Sequence, residues 1–138
     1  MGGVIDNNLF LGFDSPWCCN FSITILDGKM LTNNEGRTTY FFKVKPNTTY
    51  RYTAEIPGDR FNVYAIKTDH NEPPAFYKST YPYKEAASNI RLINSTPAAN
   101  QSPITDYTFT TGADDKMVYI YFSLNTRPTG VRIVEVES

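Results

Sequence analysis

One stretch of the chain, residues 37–67, restricts the possible folds more than any other; it reads RTTYFFKVKPNTTYRYTAEIPGDRFNVYAIK. Three runs rich in β-branched and aromatic residues are separated there by Pro-Asn and Pro-Gly-Asp, which are typical turn sequences. In the middle run every second residue from Tyr50 to Ile56 is apolar, and the residues between them are polar. A period of two predicts that this run is a half-buried antiparallel strand, with one face in a core and the other in water. The stretch therefore predicts an all-β fold.

Similar runs recur along the rest of the chain. They predict strands at residues 21–26, 38–44, 49–55, 60–67, 89–93, 106–111, 117–124 and 131–136. The tight turn Asp27-Gly28 allows a further short strand at residues 29–32. Eight or nine short strands with Gly, Pro, Asn and Asp between them predict an antiparallel β-sandwich of the jelly-roll or a related Greek-key type. Helix is indicated only at residues 83–89, and there for a single turn.

The length of the chain, 138 residues, is enough to bury one core between two sheets. We therefore expect a single globular domain. Residues 27–138 would form the sandwich itself. Residues 1–26 would form an N-terminal segment that carries the first strand and that can serve as a docking arm.

Composition argues against two classes of partner. The formal net charge is −1 and the basic residues are scattered, whereas proteins that bind nucleic acids carry a basic stripe for the phosphates. No apolar run approaches the roughly 18 residues that cross a bilayer, so we expect no membrane insertion.

The N-terminus has neither the basic region nor the apolar region of a secretory signal. We therefore expect the protein to stay in the cytoplasm in which it is made, until the cell lyses.

The cysteines of the chain, Cys18 and Cys19, are adjacent in sequence. A relaxed disulfide needs Cα atoms farther apart than one peptide bond allows. We expect two reduced thiols, one of them facing a core near Trp17. Zinc would need more Cys or His ligands, and the chain has only one histidine, His70.

Oxygen ligands for calcium occur in two places, at Asp114-Asp115 and in the segment Asp6-Asn7-Asn8. Calcium needs six to eight oxygens that converge from several loops, and neither sequence has the spacing of an EF-hand. Capping of turns is the simpler role for these residues. We expect no cofactor, and a structural calcium ion remains an open alternative.

Catalytic signatures are absent from the sequence. His70 lies in a proline-rich stretch and has no GxSxG or HExxH motif around it, so we do not expect an enzyme. A polysaccharide hydrolase with paired carboxylates remains an alternative. Its acids would come from Asp59, Asp69, Glu72, Asp106 and Asp114.

Aromatic residues give the better functional lead. Along residues 117–124 the apolar residues alternate with Tyr119 and Tyr121, which would share the opposite face of the sheet. Tyrosine rings stack on the flat faces of sugars, so an exposed pair would form a glycan platform. The alternative is that both faces of this strand are covered, one by the second sheet and the other by a loop or a subunit. Tyr77 and Tyr81, in a long loop, carry the same two interpretations.

Four sequence segments support a resemblance: V-K-P-N-T-T-Y at residues 44–50, R-F-N-V at 60–63, T-F-T-T at 108–111 and the final V-R-I-V-E-V. From residue 27 to its end the chain resembles the carbohydrate-binding-module-like β-sandwich domains of bacteriophage tail and baseplate proteins. The resemblance implies a protein of the virion, assembled in the host cytoplasm, that is present in many copies or as a homo-oligomer. Its partners would be other virion proteins and host cell-surface polysaccharide.

Two functions follow from this resemblance. In the first, the protein is non-enzymatic and attaches to host polysaccharide through Tyr119, Tyr121, Tyr77, Tyr81 and Arg60. Many copies on one particle would raise the avidity of weak single sites. In the second, the protein is a purely structural subunit of a baseplate, tail or capsid decoration. Its aromatic residues would then be buried against neighbouring subunits, and its N-terminal segment would dock on a partner.

Overall fold

A computed structural model describes residues 7–19, 37–58, 61–71, 73, 87–95, 104–123 and 127–136. These residues form eight strands: β1 (Cys18–Cys19), β2 (Arg37–Lys43), β3 (Thr49–Thr53), β4 (Asn62–Ile66), β5 (Ile90–Ser95), β6 (Asp106–Thr110), β7 (Met117–Ser123) and β8 (Arg132–Glu135). The turn of helix expected within residues 83–89 is confirmed at Ala87–Asn89, where a single 3-10 turn precedes β5. Residues 83–86 lie outside the described part.

The strands form two antiparallel sheets. The first has the order β1-β2-β7-β4-β5 and the second the order β6-β3-β8. From β2 onward the chain passes repeatedly from one sheet to the other, so that most neighbours within a sheet are distant in sequence. This is a jelly-roll-like order, and it confirms the expected antiparallel β-sandwich.

Seven of the predicted strands are present as β2 to β8, with ends within two residues of those expected. The two-residue strand β1 was not predicted, because its sequence, Cys-Cys, has no alternation to detect. The strands predicted at residues 21–26 and 29–32 lie outside the described residues. Asn47, in the turn between β2 and β3, has a positive φ of 51°, which asparagine tolerates better than most residues.

A core of mostly aromatic side chains fills the space between the two sheets. Phe42 of β2 lies 6.3 Å, between ring centroids, from Tyr50 of β3. Tyr52 of β3 lies 6.1 Å from Phe122 of β7. Ring pairs at such distances add to the stability that burial alone provides. Other members of this core are Tyr40, Phe61, Val63, Ala65, Phe109, Val118, Ile120 and Ile133.

A second, smaller core lies on the opposite face of the first sheet. Its buried members are Phe41, Ile66, Met117 and Tyr119, with Trp17, Tyr64 and Ile90 packed against them. Strands β2, β4 and β7 are therefore buried on both faces. The expectation of one wet face is confirmed for β3, whose Arg51 is exposed between two buried tyrosines. For β7, the alternative in which both faces of the strand are covered is the one that holds.

The N-terminal segment closes one side of the sandwich. Leu9 N donates a hydrogen bond to Ile133 O of β8 at 2.7 Å. The hydroxyl of Tyr40, in β2, donates to Leu9 O at 3.0 Å and accepts from Leu11 N at 2.8 Å. The segment is thus tied to both sheets. In addition, Ile133 N donates a hydrogen bond to the side-chain oxygen of Asn8 at 2.8 Å. Whether residues 1–26 also dock on a partner stays a prediction, and residues 1–6 and 20–26 lie outside the described part.

Cys18 is a buried free cysteine packed in the core between the sheets, close to Trp17, as expected for one of the two thiols. Burial raises the pKa of its thiol to about 12. Burial also raises the pKa of the Tyr52 and Tyr119 hydroxyls. The neutral forms of these three groups are therefore favoured in the folded state.

We expect replacement of Tyr40 by Phe to lower the free energy of unfolding by about 1–3 kcal/mol, because the Leu9 carbonyl and the Leu11 amide lose their shared partner. Urea unfolding measures the change. The control is Thr108→Ala on the exposed face of β6, which should change stability by less than about 0.5 kcal/mol. Equal stability of Tyr40→Phe and the parent chain would contradict the role given to this hydroxyl.

Stability should also fall at alkaline pH. In the unfolded chain Cys18 ionises near its ordinary pKa of 9.0 and the tyrosines near 10.0, whereas the folded state keeps these protons. Because the unfolded state then binds fewer protons, each group lowers the free energy of unfolding by about 1.4 kcal/mol per pH unit between its two pKa values. Chemical unfolding in reducing buffer from pH 8 to 11 tests this; unchanged stability up to pH 11 would contradict it.

Candidate functional site

The sequence left two interpretations of the tyrosine pair of β7: an exposed platform, or a strand that is covered on both faces. Tyr119 is only 1% exposed, so for this residue the exposed platform is wrong and the covered face is confirmed. Its ring stacks on Tyr64 with centroids 4.8 Å apart and planes 12° apart. On its other side it lies 5.3 Å from the ring of Phe41. Tyr119 is therefore a central part of the second core.

Strand register explains this burial. Phe41 of β2 and Tyr64 of β4 both lie directly opposite Tyr119, so three rings form one row across the middle of the sheet. Tyr121, on the same face, is half-buried, and its ring centroid lies 6.4 Å from that of Tyr64. The other candidate glycan residues, Tyr77, Tyr81 and Arg60, lie outside the described residues and stay predictions.

The hydroxyl of Tyr119 is buried and has no hydrogen-bond partner among the described residues. Burial raises the pKa of this hydroxyl well above the usual range, and the nearby hydroxyls of Tyr64 and Tyr121 act in the same direction. An unpaired buried hydroxyl destabilises a core, because its hydrogen bonds to water are lost and not replaced. The ring stabilises the second core while its polar end does not.

Two adjoining cavities occur on the side of the sandwich that the N-terminal segment closes. One has a volume of about 300 Å³ and the other about 210 Å³, and both are lined by Leu9 and Lys43. We call them together the side groove and define it by Leu9, Leu11, Trp17, Lys43, Lys45 and Glu135. Its lining is mainly apolar with a few polar groups, which is the usual composition of a binding site.

Each wall of the side groove comes from a different part of the chain. Trp17 stands immediately before β1, where its carbonyl accepts a hydrogen bond from Phe41 N at 3.0 Å. Leu11 projects from the N-terminal segment and is 69% exposed. Lys43 ends β2, and the Lys45 backbone beyond it donates to the Tyr50 hydroxyl at 2.8 Å.

Charged groups are concentrated at one end of the side groove. Lys45 Nζ lies 3.0 Å from the carboxylate of Glu135, and this hydrogen-bonded partner raises the pKa of Lys45. Lys43 Nζ donates to the side chain of Asn71 at 2.7 Å, and it lies 3.9 Å from the carboxylate of Asp69. Both lysine side chains are largely exposed, so these pairings are weak and can be exchanged for others.

The outer face of the second sheet is a polar surface. Arg51 of β3 binds Asp106 of β6 through two hydrogen bonds, of which the bond from Nε is 2.9 Å long. The guanidinium holds the pKa of Asp106 below its usual value. Thr49 and Thr110 share a hydrogen bond of 2.8 Å beside this pair. These groups satisfy one another, as expected for the wet face of an antiparallel sheet.

Within the described part of the chain, no three His, Cys, Asp or Glu side chains come close enough together to hold a metal ion. Asp115 has the capping role that its turn suggested. Its buried carboxylate accepts a hydrogen bond from Gly112 N at 2.6 Å and another from the Arg91 side chain, which ties the β6–β7 turn to β5. Asp6, in the other segment considered for calcium, lies outside the described residues, so the calcium alternative stays a prediction.

Comparisons with known proteins add no relative: no family model, no curated protein and no solved structure matches the chain. No helix among the residues described is both long and apolar enough to cross a membrane.

The side groove was not predicted from the sequence. Trp17, Leu11 and Lys43 are separated by up to thirty-two positions along the chain, and the packing of the N-terminal segment brings them together. The sequence holds only a weak signal for this groove. The apolar run around Leu11 and the single tryptophan both precede the first predicted strand, where apolar residues are not explained by that strand. No spacing rule relates either of them to the end of β2.

We expect Tyr119→Phe to raise the free energy of unfolding by about 1 kcal/mol, because it removes a buried hydroxyl that has no partner among the described residues and keeps the ring stacked on Tyr64. The matched control is Tyr40→Phe, where the lost hydroxyl has two partners and the change has the opposite sign. Urea unfolding of both variants beside the parent chain measures the difference. Destabilisation of Tyr119→Phe equal to that of Tyr40→Phe would show that the Tyr119 hydroxyl is hydrogen-bonded.

Proposed function

We propose that this chain is a non-enzymatic structural protein of a bacteriophage virion, such as a baseplate, tail or capsid decoration subunit, that acts by docking on other virion proteins. The burial of Tyr119 is the observation that carries this choice. An aromatic glycan platform on β7 needs that ring at the surface, and it lies instead between Phe41 and Tyr64. The jelly-roll-like strand order and the sequence resemblance to phage tail and baseplate modules support the same assignment.

Surface features of the described residues suit protein docking. Leu11 is exposed beside the mainly apolar side groove, and an apolar patch with a polar rim is typical of a protein interface. Lys43 and Lys45 supply such a rim. A fold of this kind hosts many functions, so the strand order alone does not select one of them.

Attachment to host polysaccharide is the second candidate. Two observations favour it: Tyr121 keeps part of its ring at the surface, and the half-buried Trp17 lines the side groove. Either ring could stack on a sugar, and many copies on a particle would strengthen a weak site.

Particle incorporation tests the structural proposal. We expect the chain to co-purify with particles of the virus that encodes it, at a constant ratio to the other particle proteins through successive density gradients. Quantitative mass spectrometry measures that ratio. A chain that remains in the lysate and is lost from the particles would contradict the proposal.

A second assay distinguishes the two candidates. A multimerised form of the chain is incubated with host cell-wall polysaccharide, beside matched Trp17→Ala and Tyr121→Ala forms. The structural proposal predicts no binding above that of an unrelated multimer. Binding that either substitution abolishes would favour polysaccharide attachment instead.

A further inference from the structure

Strand β6 forms one outer edge of the second sheet, and the backbone on its free side is open. Thr111 N, just beyond the end of β6, donates to Thr48 O at 2.9 Å, so in this register the odd-numbered residues of β6 bond towards β3. Since backbone groups alternate between the two sides of an antiparallel strand, those of Asp106, Thr108 and Thr110 point away from the sheet. Within the described part of the chain no backbone group bonds to these three residues from that side.

The other outer strands of the two sheets are protected in ways that β6 is not. β1 has only two residues, and the pairing of β5 with β4 is interrupted by a register shift at Val63/Tyr64. β8 is covered by the N-terminal segment, because Leu9 N donates to Ile133 O and Ile133 N donates to the Asn8 side chain. The five residues of β6 pair with β3 without any shift. Short length, bulges and coverage prevent edge pairing, and a regular open edge is a template for another strand.

The sequence of β6, Asp-Tyr-Thr-Phe-Thr, is suited to antiparallel pairing with itself. A twofold axis at Thr108 places this residue opposite Thr108 of a second copy. Asp106 then lies opposite Thr110, and Tyr107 lies opposite Phe109. Aromatic rings therefore meet aromatic rings on the core face, and polar side chains meet polar side chains on the exposed face. Cross-strand pairs of these kinds stabilise antiparallel sheets.

Charge does not oppose this self-pairing. Asp106 is the one charged residue of β6, and Arg51 of the same chain compensates it through two hydrogen bonds. In the twofold arrangement the two Asp106 carboxylates lie at opposite ends of the paired strands, each of them beside a threonine. The edge therefore brings no like charges directly opposite each other, which would destabilise the pair.

An aromatic surface lies beside the open edge. Tyr107 is only partly buried, and it packs against the first core at a distance of 5.5 Å between its ring centroid and that of Phe61. The ring of Phe109 lies 6.2 Å away along the same strand. A second β6 strand would cover the part of the Tyr107 ring that still faces water, and such burial favours association.

We propose that two copies of this chain associate through the open edges of β6, so that their second sheets join into one continuous antiparallel sheet. The outward backbone groups of Asp106, Thr108 and Thr110 bond to those of the second copy. The interface is isologous, as in most homodimers. Because one short strand carries it, the interface is small and the dimer weak. The inference goes beyond the proposed virion role and does not depend on it.

A second copy suits this edge better than an unrelated peptide does. Strand addition obtains its specificity from pockets or charges that recognise alternate side chains of the added strand. The exposed side chains of β6 are two threonines and an aspartate that Arg51 already binds, so they supply little of either. The twofold match of β6 with itself supplies the specificity instead.

Sedimentation equilibrium of the full chain, from about 10 μM to about 1 mM, tests the proposal. We expect a reversible monomer–dimer equilibrium with a Kd of about 0.1 mM or lower. Hydrogen exchange over the same concentrations locates the interface. The amides of Thr108 and Thr110 should exchange fast in dilute solution and several-fold more slowly as the dimer forms. The amide of Phe109, which bonds towards β3, should exchange slowly throughout.

Substitutions at Thr108 make the test specific, because the twofold axis places the two copies of this residue opposite each other. Thr108→Pro should abolish the dimer, since it removes an outward amide that β3 does not use. The matched control Thr108→Ala keeps that amide and should change the Kd by less than about threefold. Thr108→Lys and Thr108→Glu should each weaken self-association at least tenfold, because like charges then face each other. An equimolar mixture of these two charged variants should associate again.

Three results would overturn the proposal. The first is a chain that stays monomeric up to about 1 mM. The second is a dimer that Thr108→Lys and Thr108→Glu do not weaken, or whose loss their mixture does not reverse, since the copies would then not meet at Thr108. The third is a Thr108 amide that already exchanges slowly in the monomer, because the chain would then cover its own edge. Failure of the dimer leaves the particle-incorporation test unaffected, and failure of incorporation leaves the dimer intact.

Discussion

The pairing of β2 with β7 is the constraint on which the rest of the structure depends. Seven residues of each strand align, and 73 residues of chain lie between the two strands. This one register directs Tyr40 and Phe42 into the space between the sheets, and it directs Phe41 and Tyr119 to the opposite face. Because both faces are buried, a slip of one residue would exchange the contents of two cores at once. The pairing is therefore strongly specified.

Strand positions could be predicted from the sequence because alternation and turn residues are local signals. The β3 strand shows this best, since its buried tyrosines alternate with the exposed Arg51. The second core could not be predicted, because an alternating strand has the same sequence pattern whether its second face meets water or another layer. For that reason the sequence left two interpretations of Tyr119 open, one exposed and one covered. The tether between Tyr40 and Leu9 and the side groove depend on distant contacts that no local pattern encodes.

The burial of the aromatic rings and the exposure of the side groove together decide which parts of the described surface can meet a ligand or a partner. The rings of Tyr119 and Tyr64 fill space inside the domain, so they are not available to a ligand in the way an exposed platform would be. The described surface offers instead a groove where Lys43 ends β2 beside the exposed Leu11. The exposed Leu11 and the lysines beside it are the features on which the proposed docking role depends.

Enclosure of Tyr119 is the central claim, and nitration of the folded chain with tetranitromethane, followed by peptide mass spectrometry, tests it most directly. The account predicts that Tyr119 reacts far more slowly than in the unfolded chain, together with the buried Tyr40, Tyr50 and Tyr52. Tyr121, which keeps part of its ring at the surface, should react faster than these four. Nitration of Tyr119 in the folded protein at the rate of the unfolded chain would contradict the account, because the ring would then face solvent.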